Sequence, residues 1–181
     1  MSRNELSRRI LHEAFPEVDS SDPVSYFSET GDAVQALMYS WLYWPNLVEI
    51  RGAVFFALYG NDEVEIANCL ATPSADGHPD WPAMAWGQMV DSYNIFEIPH
   101  LFRMMKGPSE LAADACRQLG DALVQTWQGR LLAAYPERRL TVRMIEGDDS
   151  MDLRIEVSQL TPSLVPPKGW DGQRRGITVT S

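Results

Sequence analysis

The sequence predicts an α+β fold with a mainly antiparallel sheet, and three patterns carry that prediction. Residues 108–134 hold one unbroken apolar stripe at helical spacing. Residues 140–146 and 151–157 alternate apolar and polar side chains on either side of Gly147-Asp148-Asp149-Ser150. A second pair of segments, 47–58 and 63–70, flanks Tyr59-Gly60-Asn61-Asp62 in the same way. Neighbouring strands joined by tight turns pair antiparallel, which separates this class from a doubly wound parallel sheet. No Gly-x-Gly-x-x-Gly or Gly-x-x-x-x-Gly-Lys phosphate loop is present to suggest the latter.

The first predicted helix covers about 3–15. Ser2 and Glu5 have capping-box spacing, Ile10, Leu11 and Ala14 follow at helical intervals, and Pro16 closes it. Residues 16–31 are rich in Pro, Ser and acidic side chains and read as a loop. Asp32 then caps a helix over 32–44, which Pro45 ends because proline disfavours helical geometry in the residue before it. Its polar members are Asp32, Gln35 and Ser40 alone, a composition expected of a helix buried on several sides.

Residues 47–58 follow as a β-branched and aromatic strand. With Gly60-Asn61 as a two-residue turn, the return strand 63–70 sets Phe55 opposite Ile66 and Ala57 opposite Val64. A helix over 62–71 is the alternative for that return segment. Asp80 and Pro82 open a helix over 82–92, residues 94–98 form a short strand, and the long helix 108–134 comes next. Its stripe runs through Ala112, Cys116, Leu119, Leu123, Trp127, Leu131 and Ala134. The final hairpin, about 140–146 and 151–158, pairs Leu140 with Val157, Val142 with Ile155 and Met144 with Leu153. That register also sets Arg143 opposite Arg154, a like-charge pair that needs an anionic neighbour, with Glu156 available on the diagonal.

Residues 1–160 are expected to form one domain. Residues 161–181, with three prolines and three glycines, are expected as an extended C-terminal arm through which copies would assemble.

Candidate chemistry is sparse. His78 between Asp76 and Asp80 lacks the spaced, rigid ligand positions of a metal centre, and the carboxylates of 146–152 lack calcium-loop spacing. Cys116 falls in the core stripe and is expected to be an inert thiol, and two cysteines make no disulfide framework. No serine elbow or His-Glu-x-x-His helix occurs. No cofactor is expected.

Charge is the more informative property. The chain carries a net charge of −10. Residues 17–97 hold thirteen acidic residues against the single basic Arg51, together with thirteen of the eighteen aromatic rings. Such a balance opposes nucleic-acid binding, which depends on neutralising phosphates, and favours a basic protein partner. Asp62, Glu63, Glu65, Asp76 and Asp80, in or beside turns, with Trp81 and Trp86, form the predicted partner-binding set. Trp41 and Trp44, and Tyr39 and Tyr43, stand three and four residues apart, so helix 32–44 carries two aromatic ridges. One is expected in the core and the other on an interface flank.

The functional expectation is a non-enzymatic acidic module that binds a basic protein, in the manner of small bacterial inhibitors and immunity proteins. The excess of Arg over Lys, thirteen to two, suits a GC-rich bacterial gene. An assembly subunit and a small enzyme with a Glu/His cleft are the alternatives. The N-terminal residues lack the apolar core of a signal peptide and no apolar run reaches the ~20 residues of a membrane span. A cytoplasmic location without membrane contact is expected.

Overall fold

The computed structural model describes residues 3–19, 21–22, 24–58, 63–72, 82–102 and 109–178. In chain order the elements are α1 (Arg3–Ala14), α2 (Ser25–Glu29), α3 (Ala33–Tyr43), β1 (Leu47–Ile50), β2 (Ala53–Phe56), α4 (Glu63–Ala71), α5 (Trp86–Tyr93), β3 (Ile95–Glu97), α6 (Ile98–Leu101), α7 (Ser109–Ala134), β4 (Arg139–Ile145), β5 (Arg154–Thr161), β6 (Trp170–Asp171) and β7 (Gly176–Ile177). The fold is α+β. Its sheets are small: β1-β2, β3-β5-β4 and β6-β7. No helix among the described residues is long and apolar enough to cross a membrane.

Contact density divides the chain into two compact units. The first holds residues up to Trp44, Phe96–Trp127 and Met144–Ile155. The second holds Pro45–Ile95, Gln128–Arg143 and the chain from Glu156 onward.

In the first unit the stripe of α7 is the core. Leu111, Cys116, Leu123 and Trp127 are buried, as are Leu6 and Leu11 of α1 and Phe96 of β3. The Phe96 and Trp127 rings meet edge to face with centroids 5.3 Å apart. Leu119, expected in the core, is only half-buried. Gly120 is where α7 needs no side chain: a Cβ there would collide with Met144 and Ile98. Residues 16–31, expected as plain loop, contain the short helix α2. Asp22 accepts the Val24 N–H at 3.0 Å and sets the chain for that turn of helix.

In the second unit, Ile50, Ala53, Phe55, Ile66, Leu70, Trp86 and Val90 form one buried cluster. Two strand expectations are corrected here. The segment 47–58 is not one strand but a hairpin, pairing Leu47 with Phe56 and Ile50 with Ala53. Its turn is Arg51-Gly52, both at positive φ (53° and 81°). A two-residue hairpin turn with two left-handed positions matches strand twist, and glycine takes the second at no steric cost. The segment 63–70 is not the return strand. It is helix α4, so the pairing of Phe55 with Ile66 and of Ala57 with Val64 does not form. Ile66 and Leu70, four apart, share the buried face while Val64 is exposed. Glu63 and Glu65 in the first turn suit the positive end of the helix dipole.

Helix α5 starts at Trp86, later than the predicted 82: residues 82–85 form no regular structure, and Ala85, directly before the helix, is extended. Its N-terminal donor is satisfied from within: the Ala85 N–H donates to the Gln88 side chain at 2.9 Å. Strand β5 starts at Arg154, later than the predicted 151, because residues 148–152 are occupied by turn contacts. The Asp148 N–H donates to the Met151 carbonyl, and the Asp152 N–H to the Glu97 carboxylate, both at 2.8 Å. The C-terminal stretch lies against this unit's own core. The Trp170 ring packs on Trp86 with centroids 5.2 Å apart, and its Nε1 donates to the Met84 carbonyl at 3.1 Å.

Candidate functional site

Helix α3 begins where the sequence says it should. Asp32 is extended, and its carboxylate accepts the Val34 N–H at 2.7 Å. The other boundary is equally local, since Trp44 leaves helical geometry directly before Pro45. Its surroundings overturn the expectation of a core helix. No residue of α3 is buried. Trp41 is 57% exposed, Trp44 beyond it 52%, and Val34, Leu37, Met38, Tyr39 and Tyr43 are exposed as well.

What anchors the helix sits at its C-terminal turn. The Trp127 indole N–H donates to the Leu42 carbonyl at 2.7 Å, and Leu42 is the one half-buried member. The Tyr39 ring adds a tilted contact with Phe102 at 6.2 Å between centroids. The physical reason for the misreading is that composition reports how apolar a helix is, not what covers it.

The exposed apolar surface is concentrated. Nine of the thirteen large hydrophobic residues exposed among the described ones lie between Val24 and Trp44, with Phe27 the most open of the aromatic rings at 71%. Val24, Tyr26 and Phe27 of the α2 segment also line an open cavity of about 500 Å³ with Ile10, Leu11 and Phe15 of α1. The same stretch is acidic. From Glu17 to Trp44 the sequence has five carboxylates, Glu17, Asp19, Asp22, Glu29 and Asp32, and no Lys or Arg. Ser21, through its hydroxyl and its N–H, holds the Asp19 carboxyl below the usual carboxylate range.

The predicted partner-binding set fares differently. Asp62, Asp76, Asp80 and Trp81 lie outside the described residues, as does His78. Glu63 and Glu65 are exposed on the first turn of α4. Trp86 is corrected to a core residue: it is 1% exposed, inside the α4–α5 cluster and against Trp170, and so has no face to offer.

The remaining sequence candidates resolve into internal contacts. Arg143 lies 3.9 Å from Glu156, and Arg154 pairs with Asp148 at 3.0 Å. The like-charge problem is thereby met by carboxylates of the chain itself. Asp148 is a turn residue: Ser150, Arg154 and the Met151 N–H all donate to it, which keeps it ionised far below the usual carboxylate range. Cys116 is buried, and desolvation pushes its thiol above the usual value, as suits an inert core cysteine. Cys69 is exposed.

One constellation was not anticipated. Glu97, His100 and Asp152 converge at the end of β3, on α6 and in the β4–β5 connection. No protein-family model matches the chain, nor does any curated protein or solved structure.

Proposed function

We propose that this protein is a non-enzymatic binding module that seats a basic protein partner on the aromatic helix α3. The observation that carries the reading is a helix of mostly apolar composition without a single buried residue. Monomers rarely leave a contiguous apolar patch of this kind uncovered, and such patches mark interaction sites. Trp and Tyr are the side chains that most often anchor interfaces. Each large apolar side chain fully buried on binding contributes roughly 1.5–3 kcal/mol.

Charge selects the class of partner. Five carboxylates and no cation along 17–44 attract a positively charged surface and speed encounter, while the rings set the rate of dissociation. Occlusion of a basic target by such a face is how an inhibitor or immunity-type protein would act.

The test is photo-crosslinking in the native host. A benzophenone side chain at position 41 should give adducts with a protein of positive net charge, and the yield should fall as salt rises. The same probe at Leu132, exposed on α7, serves as the control and should give none. Adducts with a second copy alone would establish self-assembly instead, and absence of adducts at position 41 would contradict the reading. With the partner identified, Glu63→Gln with Glu65→Gln tests whether the acidic turn of α4 adds to the attraction of that partner. Slower association would show that it does.

A further inference from the structure

The geometry points to a divalent metal site, of the zinc class, formed by His100 and Asp152 and positioned by Glu97. It is independent of the protein-binding reading. Strand β3 ends at Glu97 and the chain turns at once into α6, with Pro99 in its first turn, so His100 comes up three residues later beside the same carboxylate. The link between β4 and β5 brings Asp152 alongside. Two hydrogen bonds from backbone donors fix that approach, from the Asp152 N–H to Glu97 Oε2 and from the Ile98 N–H to the Leu153 carbonyl, both at 2.8 Å.

The two nitrogens of His100 have different neighbours. Nδ1 lies 3.1 Å from Glu97 Oε1, and Nε2 lies 3.9 Å from Asp152 Oδ2. A carboxylate accepting from Nδ1–H leaves the Nε2 lone pair facing outward, here toward another anion. A lone pair aimed at a carboxylate oxygen is unfavourable unless a proton or a metal ion stands between them.

A metal ion bonded to both atoms at about 2.0–2.2 Å in tetrahedral geometry fits that gap after roughly half an ångström of closure. His100 and Asp152 are both well exposed and free to make it. Carboxylate, imidazole and metal in series is the arrangement by which proteins orient a histidine ligand and raise its basicity. One imidazole and one carboxylate suit zinc and its transition-metal neighbours better than calcium or magnesium, which take oxygen ligands.

The site is open. A groove of about 530 Å³, lined in part by Pro99, Ser109, Arg117, Asp152 and Leu153, leads up to it. The remaining coordination positions would be filled by water.

The test uses the full chain and zinc chloride alone. Calorimetric titration in a non-chelating buffer should give one saturable equivalent, and the side-chain ¹⁵N resonance of His100 Nε2 should shift with it. His100→Ala should abolish this binding, and Asp152→Asn should weaken it at least tenfold. Glu97→Gln should weaken it by about 10–100-fold, the range seen when the partner of a ligating histidine is changed. His12→Ala should leave it unchanged. No saturable binding up to millimolar zinc would overturn the proposal and leave the three residues an ion-pair chain. Binding that survives both His100→Ala and Asp152→Asn would overturn it equally, by assigning the metal elsewhere.

Discussion

Asn94→Ala is expected to lower folding stability by roughly 2–6 kcal/mol, the combined penalty for two backbone groups left buried without partners. Asn94 is the one buried polar residue among those described. Its Oδ1 accepts the Phe56 N–H at 3.1 Å, and its Nδ2 donates to the Val54 carbonyl at 2.9 Å, so the amide closes the free edge of β2. Its own carbonyl accepts the Val157 N–H at 3.0 Å. Side chain and carbonyl of this one residue thus tie the β1-β2 hairpin and β5 to the end of α5. Asn94→Asp keeps one acceptor but removes the donor to Val54 and buries a charge. Its loss should therefore be larger at neutral pH than in acid, where the carboxyl is protonated. Equilibrium denaturation measures both. A loss below about 1 kcal/mol for Asn94→Ala would show that water replaces the amide.

Trp127→Ala is expected to cost about 3–5 kcal/mol, the range for removing a large aromatic ring from a core. Trp127 is fully buried at the centre of the α7 stripe, edge-on to Phe96. It also has a task no aliphatic residue can perform, because its indole N–H donates to the Leu42 carbonyl and so ties down the C-terminal turn of α3. Trp127→Phe separates the two roles. It keeps most of the packing and loses the donor, so it should cost less than Trp127→Ala while still raising amide exchange at the last turn of α3. Equal exchange in the wild type and Trp127→Phe would show that the helix is held by other contacts.

Much of this architecture is legible in the sequence, and the parts that are not share a physical cause. Helix α7 is written in its own periodicity, and α3 in its boundaries, Asp32 and Pro45, since each rests on local chemistry. Segment 63–70 misleads because Val64 and Ile66 satisfy a strand's alternation while Ile66 and Leu70 satisfy a helix's. Only the tertiary partner of that face decides between them. Burial of α3 fails for the same reason: apolar composition is local, and cover is not. The Glu97–His100–Asp152 group shows the limit for sites. Its Glu-x-x-His spacing is visible in the sequence, but Asp152 arrives from a distant hairpin and no local pattern announces it.

The account turns on whether the rings of α3 are surface or core, and the stability of a Trp41→Ala, Trp44→Ala double variant answers that most directly. Substitutions of side chains as exposed as these usually change stability by no more than about 0.5 kcal/mol each, so the denaturant midpoint should stay close to that of the wild type. Circular dichroism should report the same helix content. In the same preparation the crosslink from a benzophenone at position 38 should disappear, because the anchoring rings are gone. A midpoint lowered by an amount typical of buried tryptophans, ~3–5 kcal/mol each, would contradict the account and return α3 to the core.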